Sequence, residues 1–168
     1  NTSMYLGHLL DANQLLDDVE LLTGKRPKVS MCNNTYKVHL PIELTLAMSA
    51  ISPIQVGGRC HNPMTLPEFV FDEKCPTFLI REFLAGTFGG DGIVPSLTEN
   101  SVQGSLQLVA SKAPEFVGSL TEKYNQLKNV LLNRFNIASH VSEPSIYGEE
   151  GNQHVFLIIG GQSEMLKY

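Results

Sequence analysis

The chain of 168 residues is 42% hydrophobic and 17% charged, which excludes a disordered protein because enough apolar surface is present to build a core. No apolar stretch approaches the ~20 residues that a membrane span needs, so no membrane partner is expected. The formal net charge of −5 by itself argues against a nucleic-acid surface. The three cysteines form no CxxC pair, which predicts reduced thiols inside a cell and leaves organelle, nucleus, virus-infected cell and prokaryote open.

Helical and strand patterns alternate through the first fifty residues. The predicted order is a helix at 11–22, strands at 28–32 and 35–40, and a helix at about 41–51. In the first helix, Leu15, Val19 and Leu22 lie at helical spacing and predict the buried stripe. Proline and glycine are frequent in residues 52–75, which predicts a connector rather than a packed unit.

The second half of the chain shows a longer series of elements. The predicted order is a helix at 76–88, strands near 93–98 and 104–111, a helix at 114–135, strands near 137–146 and 154–159, and a final helix after Gly161. This order is αββαββα, and the αββα order of the first fifty residues matches its second half. We therefore expect an α+β protein with about one and a half αββαββα repeats. Residues 1–70 would form the C-terminal half of a first repeat with a connector, and residues 71–168 a second repeat. The alternative is that the two αββα patterns are alike by chance.

A run of small residues marks the end of the predicted helix at 76–88. Ala85, Gly86, Gly89 and Gly90 lie on one helix face, and glycine in a helix costs about 0.5–1 kcal/mol each, so close contact with a second helix is the expected reason. Asp91 then places a negative charge at the C-terminal end of the helix, where the helix dipole disfavours it by about 0.3–1 kcal/mol. A divalent cation would offset this charge.

The segment from Leu84 to Gly92 resembles the LAGLIDADG motif of homing endonucleases. The resemblance extends over nearly the whole chain. The segments that look like the end of one repeat running into the next are Thr23-Gly24, Tyr36–Pro41, Leu66–Phe69, Cys75-Pro76 and Arg81–Leu84. It implies two motif helices packed at a repeat boundary, each delivering one acid to a shared site with divalent metal, usually Mg²⁺. It also implies antiparallel sheets over the DNA major groove and hydrolysis of one phosphodiester bond per strand.

The same resemblance implies roles for individual residues. Asp91 matches the acid of the motif and would hold metal that activates water. Arg59 lies about where the family has a basic residue near the metal, and Ser111 or Lys112 matches a polar residue at the end of the second strand. The motif position filled by aspartate in the name sequence is Gly89 here. Only one motif copy is present, so a second acid has to come from a missing upstream segment or from another chain.

Two strand faces are candidates for DNA contact. Lys28, Ser30, Lys37 and His39 point outward from the first two strands and suit phosphates and base edges. In the second repeat the predicted outward face carries no charge and consists of Gln103, Ser105, Gln107, Val109 and Ser111, of which the four polar residues are the candidates for DNA contact. Both faces are equally what an ordinary solvated strand presents.

The sequence thus predicts a site-specific double-stranded DNA endonuclease that uses Mg²⁺ and has the LAGLIDADG fold. The alternative on the same fold is a non-cleaving nucleic-acid binder such as an intron maturase or a degenerate homing endonuclease. A third interpretation, an unrelated α+β interaction module, requires the repeat to be chance. Intein, intron-encoded and free-standing origins remain open.

Overall fold

The structure is a computed structural model that describes residues 2–51, 58–98, 101–146 and 151–161, with backbone only at 97–98 and 101–103. The fold is mixed α+β with antiparallel sheets, as the sequence predicts. The chain divides into two compact units, Asn1–Ile54 and Gln55–Tyr168. Among the helices of the described ranges, none combines the length and the apolar character needed to cross a membrane.

The first unit is a three-stranded sheet covered by a helix. Its elements are β1 (Ser3–Leu6), α1 (Leu9–Thr23), β2 (Val29–Cys32), β3 (Thr35–His39) and α2 (Ile42–Ile51). The strands pair in the order β1-β3-β2, all antiparallel. Asn33 and Asn34 both have positive φ, which asparagine tolerates and which a tight turn between β2 and β3 requires.

The first unit differs from the expectation in two respects. Of the predicted stripe of α1, Val19 is buried and Leu15 is half-buried against the core, but Leu22 is 72% exposed, and Ala12 and Leu16 complete the buried set. The helix begins earlier than predicted, and the i, i+4, i+7 set with the smallest residue at Ala12 lets α1 approach Val38 of the sheet closely. Strand β1 was not predicted, because its four residues form a strand by pairing with β3, which is distant in the sequence.

The second unit contains the remaining elements. They are α3 (Thr77–Asp91), β4 (Gly92–Ile93), β5 (Ser96–Thr98), β6 (Ser101–Gln103), β7 (Leu106–Lys112), α4 (Val117–Phe135), β8 (His140–Val141), β9 (Ser145–Ile146) and β10 (Gln153–Ile159). The sheet order is β4-β7-β10-β8, with β9 also paired to β10, while β5 and β6 form a separate hairpin. The predicted strand at 93–98 is therefore interrupted, since Pro95 cannot donate a ladder hydrogen bond. The final predicted helix lies outside the described residues.

The core of the second unit lies between α3, α4 and the sheet. Helix α4 contributes Leu120, Tyr124, Leu127 and Leu131, all at most 1% exposed and spaced i, i+4, i+7, i+11. Helix α3 contributes Ile80, Leu84 and Phe88. These two buried stripes fix the helix ends on which the candidate site depends.

The segment predicted to be a loose connector is packed against this core. Its described part, residues 58–75, contains 3-10 turns at Arg59–His61 and Glu68–Phe71, and Val70 is 1% exposed. Phe69 contacts Phe83 edge-on with ring centroids 5.8 Å apart. Proline and glycine interrupt regular structure here, but the apolar residues between them supply enough contact to hold the segment on the second unit.

The two units share one strand arrangement. In the first unit the central strand β3 pairs with β1 and β2, and in the second unit β10 pairs with β7 and β8. In the first unit α1 lies between β1 and β2 along the chain, and in the second unit α4 lies between β7 and β8. When β8 and β9, which both pair with β10, are counted as one edge strand, each unit contains a β-α-β-β series whose last strand lies in the middle.

Candidate active site

Asp91 is the last residue of α3, and its position is set by the buried face of that helix. The next residue, Gly92, donates its backbone N–H to the carbonyl of Phe88 and begins β4. A Cβ at Gly92 would lie 2.1 Å from the Phe88 carbonyl oxygen, so only glycine fits this backbone. The predicted transition from helix to strand at Asp91 is confirmed.

Arg59 approaches Asp91 from the 3-10 turn of the connector. Its Nη1 lies 3.5 Å from Oδ2 of Asp91, and the two side chains are 84% and 61% exposed. Such a solvent-screened pair stabilises the fold by at most about 1 kcal/mol. The guanidinium nevertheless supplies the positive charge expected to offset an acid at the end of a helix.

Lys112, the last residue of β7, holds the connector against the sheet. It is 3% exposed, and its ammonium donates a hydrogen bond to the backbone carbonyl of Arg59. The backbone N–H of Ala113 also donates to the carbonyl of Cys60 at 2.9 Å. These two bonds fix the backbone from which the Arg59 side chain extends.

The three residues predicted to be catalytic therefore line one cavity. It has a volume of about 380 Å³, and its wall includes Arg59, Asp91, Lys112 and Ser111. Tyr124 of α4 also lines this cavity, although the residue is only 1% exposed. The cavity lies entirely within the second unit.

Burial changes the proton affinities of two groups in this cavity. Desolvation lowers the pKa of the Lys112 ammonium below its usual value, the nearby Cys60 thiol acts in the opposite sense, and the Arg59 charge lowers the pKa further. Desolvation raises the pKa of the Tyr124 hydroxyl, and the negative charge of Asp91 raises it further. Both shifts favour neutral side chains beside the Asp91 carboxylate.

The residues of the cavity fit a divalent cation only as part of a site. Asp91 is a carboxylate open to solvent, which suits Mg²⁺ because this ion keeps several waters and takes one or two carboxylates with substrate phosphates. Across the described ranges, no three histidine, cysteine, aspartate or glutamate residues cluster closely enough to hold a metal. A complete site would need oxygen ligands from DNA and from a second acid.

The small-residue face of α3 is exposed. Ala85, Gly86, Gly89 and Gly90 are all exposed, and a Cβ added at any of the three glycines would meet nothing within 4 Å. On the same helix Phe78 is 58% exposed and Leu79 45% exposed. Nothing in the described part of the chain covers this face, so the expected contact with a second helix stays a prediction.

The sheet of the first unit brings its predicted DNA-contacting residues to one face. Ser30 in β2 pairs with Lys37 in β3. Lys28 lies just before β2, on the same side of the sheet as Ser30, and its carbonyl accepts a hydrogen bond from the N–H of His39. Lys37 lies 5.5 Å from the ring centroid of Tyr5. The two other basic residues near this sheet are paired with acids, Lys25 with Glu43 and Arg26 with Asp17 and Glu20. Within residues 2–51, Lys28 and Lys37 make no ion pair.

The corresponding face of the second unit is only partly polar. Gln107 and Ser111 share one face of β7, and Gln107 donates to the hydroxyl of Ser105 at 2.8 Å. Val109 and the β10 residue Phe156, which pairs with it, lie on the same face and are apolar. Gln103 is separated from this strand, because Gly104 with φ +95° ends the β5–β6 hairpin that contains Gln103. The side chain of Gln103 lies outside the described residues.

Tyr124 lines the cavity from the buried stripe of α4 and was not predicted as a site residue. A tyrosine within a stripe of leucines carries a hydroxyl that needs a partner, and this was the available signal. Cys60 also lines the cavity, although its position in the sequence gave no sign of this.

No family model matches the chain, and a search of curated proteins finds none with significant similarity.

Proposed function

We propose that this chain is part of a LAGLIDADG-type, Mg²⁺-dependent endonuclease acting on double-stranded DNA. One observation carries the proposal: Asp91, Arg59 and Lys112 come from a helix end, a connector and a strand end, and all three line one cavity. The sequence resemblance predicts this convergence of residues that are far apart in the chain. The shared β-α-β-β order of the two units is a second support, since the proposed fold consists of repeats.

The three residues predicted to be catalytic each have a definite task in this proposal. Asp91 would hold the cation, whose chemistry is to activate a water and to stabilise the leaving oxygen. Arg59 is exposed and would meet the charge of the scissile phosphate. Lys112 would keep the Arg59 backbone in place through its hydrogen bond to the carbonyl. The second acid would come from another motif, supplied by a second copy or by an upstream segment.

The proposal is tested by cleavage of a library of long duplexes by the chain, and by any longer product of the same gene, with and without Mg²⁺. We expect metal-dependent breaks at a small number of sites and loss of cleavage in Asp91→Asn. Glu115→Gln is the matched control, because Glu115 is an exposed acid of the same unit that does not line the cavity. Equal cleavage by wild type and Asp91→Asn would exclude the proposed site.

A second candidate function is a non-cleaving DNA binder on the same fold. The observation in its favour is that Asp91 is the single carboxylate among the residues found to line the cavity. The two candidates share the sheet surfaces and differ in the metal site. Salt-sensitive binding to duplexes without cleavage under any metal condition would select the binder. Failure to bind any duplex would exclude both candidates and favour an interaction module.

A further inference from the structure

A groove of about 720 Å³ lies between helix α4 and the 3-10 turn at Glu68–Phe71. This volume falls within the range of about 300–1,000 Å³ that is usual for ligand sites. The groove lies within the second unit and shares no lining residue with the cavity that contains Asp91. Its lining combines the apolar side chains of Val70, Phe71 and Val130 with basic, acidic and amide side chains.

The two basic residues of the groove already have partners inside the chain. The ammonium of Lys123 lies 5.2 Å from the ring centroid of Phe71 and donates a hydrogen bond to the side chain of Gln126 at 3.0 Å. Arg134 donates to the backbone carbonyls before α3 and to the hydroxyl of Thr77. Both cations are thus bonded to neutral groups and leave the acids of the groove without an ion pair.

The two acids of the groove, Glu68 and Glu73, are both exposed. Neither carboxylate makes an ion pair or a hydrogen bond with any residue that the structure describes. An ionised carboxylate only accepts hydrogen bonds, and its bonds to cationic donors are the strong ones. The groove therefore offers unused acceptors to a ligand that brings cationic donors.

Helix α4 adds two carboxamides at a spacing that an extended peptide matches. Asn129 and Asn133 line the groove and are exposed, and neither side chain bonds to another residue of the described ranges. Four helical residues rise about 6 Å, and two residues of an extended strand rise about 6.6–6.8 Å. The two amides can therefore meet every second residue of an extended peptide. A carboxamide both donates and accepts hydrogen bonds, as a peptide unit does.

We propose that this groove binds an extended segment of a partner protein with lysine or arginine at every second position. The cations of the segment would pair with Glu68 and Glu73, and its backbone would bond to Asn129 and Asn133. The inference does not depend on the proposed function, because none of these four residues lines the cavity of Asp91.

Fluorescence anisotropy tests the proposal with the full chain and a labelled ten-residue peptide in which lysine alternates with threonine. We expect saturable binding that is lost when the lysines are acetylated and that weakens roughly tenfold when Glu68→Gln and Glu73→Gln are combined. The matched control combines Glu115→Gln and Glu143→Gln, which removes the same charge from two exposed acids outside the groove and should keep the wild-type affinity. Equal affinities of the two double variants would overturn the proposal.

A second experiment separates recognition of a peptide from attraction of any polycation. Combining Asn129→Ala and Asn133→Ala should also weaken peptide binding roughly tenfold, because the backbone loses its partners, and should not lower the urea midpoint, because both side chains are exposed. Spermine carries charges comparable to those of the peptide but has no backbone, so we expect it to displace the labelled peptide only at higher concentrations than the unlabelled peptide does. Displacement by spermine as effective as that by the peptide, or unchanged affinity in the asparagine double variant, would overturn the proposal.

Discussion

Gly92 directly follows Asp91, and its lack of a side chain allows α3 to end as it does. The Cβ of any other residue would lie 2.1 Å from the Phe88 carbonyl oxygen, well inside contact distance. The end of the helix would have to shift, and Asp91 would shift with it. Gly92, which was not predicted as a site residue, is therefore needed to place the Asp91 carboxylate.

We expect Gly92→Ala to lower the free energy of unfolding by about 1–3 kcal/mol, because the backbone must move to relieve the overlap. Urea denaturation measures this change. Gly90→Ala is the matched control, since its Cβ meets nothing within 4 Å and alanine favours the helix by about 0.5–1 kcal/mol. A stability of Gly92→Ala equal to that of Gly90→Ala would contradict the prediction. If Gly90→Ala is stable but loses cleavage, the exposed glycine face takes part in a close contact.

Lys112 predicts a pH dependence of stability. Burial lowers its pKa in the folded chain, so the unfolded chain binds more protons between that lowered pKa and the ordinary value of 10.5. Stability from this group therefore rises with pH across that window. We expect the stability of wild type relative to Lys112→Met to increase as pH rises toward 10.5. Parallel urea titrations of the two proteins measure it, and a constant or decreasing difference would exclude the assignment.

At the scale of elements, Arg134 joins the end of α4 to the start of α3. Its guanidinium donates to the carbonyls of Glu73, at 3.1 Å, and of Cys75, and to the hydroxyl of Thr77 at 3.0 Å. The turn before α3 is thus held by one side chain from a helix more than fifty residues later. Since α3 carries Asp91 at its far end, this junction helps to set the direction of α3.

We expect Arg134→Ala to destabilise the second unit by about 2–3 kcal/mol, because several carbonyl groups lose a charged donor together. Arg81→Ala is the control, since Arg81 pairs only with its exposed neighbour Glu82 among the described residues, and its loss should cost less than about 1 kcal/mol. Urea midpoints for the two variants decide the matter. Similar midpoints would mean that the turn holds its conformation without Arg134.

Element order was predictable from the sequence because periodicity and turn residues are local. Helix α4 and strand β10 follow clear patterns, and the Asn33-Asn34 turn is marked by residues that tolerate positive φ. Strand β1 and the packing of the connector were missed because both depend on contacts with distant residues. The buried ammonium of Lys112 was likewise invisible, since its partner is a backbone carbonyl 53 positions earlier.

For the molecule as a whole, charge is distributed unevenly. The net charge is −5, yet Lys28 and Lys37 lie on one sheet face while the neighbouring Lys25 and Arg26 are neutralised by acids. A local cationic face can bind phosphates even when the whole chain is acidic, since exposed charges beyond about 10 Å are screened at 0.1 M salt. The negative net charge therefore does not exclude a nucleic-acid surface on this face of the sheet.

If this face contacts DNA, changing Lys28 and Lys37 to glutamine should weaken duplex binding and reduce the slope of log K against log salt by about 2, one for each lost phosphate contact. Fluorescence anisotropy at several salt concentrations measures the slope. Lys25→Gln is the control, because Lys25 is paired with Glu43 and should leave the slope unchanged. An unchanged slope in the double variant would remove this face from the interface.

The ion pair between Arg59 and Asp91 has a consequence for loading of the proposed site. Both partners are open to water, so little binding energy is lost when an incoming cation separates them. The guanidinium released by that exchange would then be free to neutralise an approaching anion. Without a cation, the charge of Asp91 is thus balanced by Arg59. Because this ion pair is weak, the site can exchange it for a cation at Asp91 and an anion at Arg59.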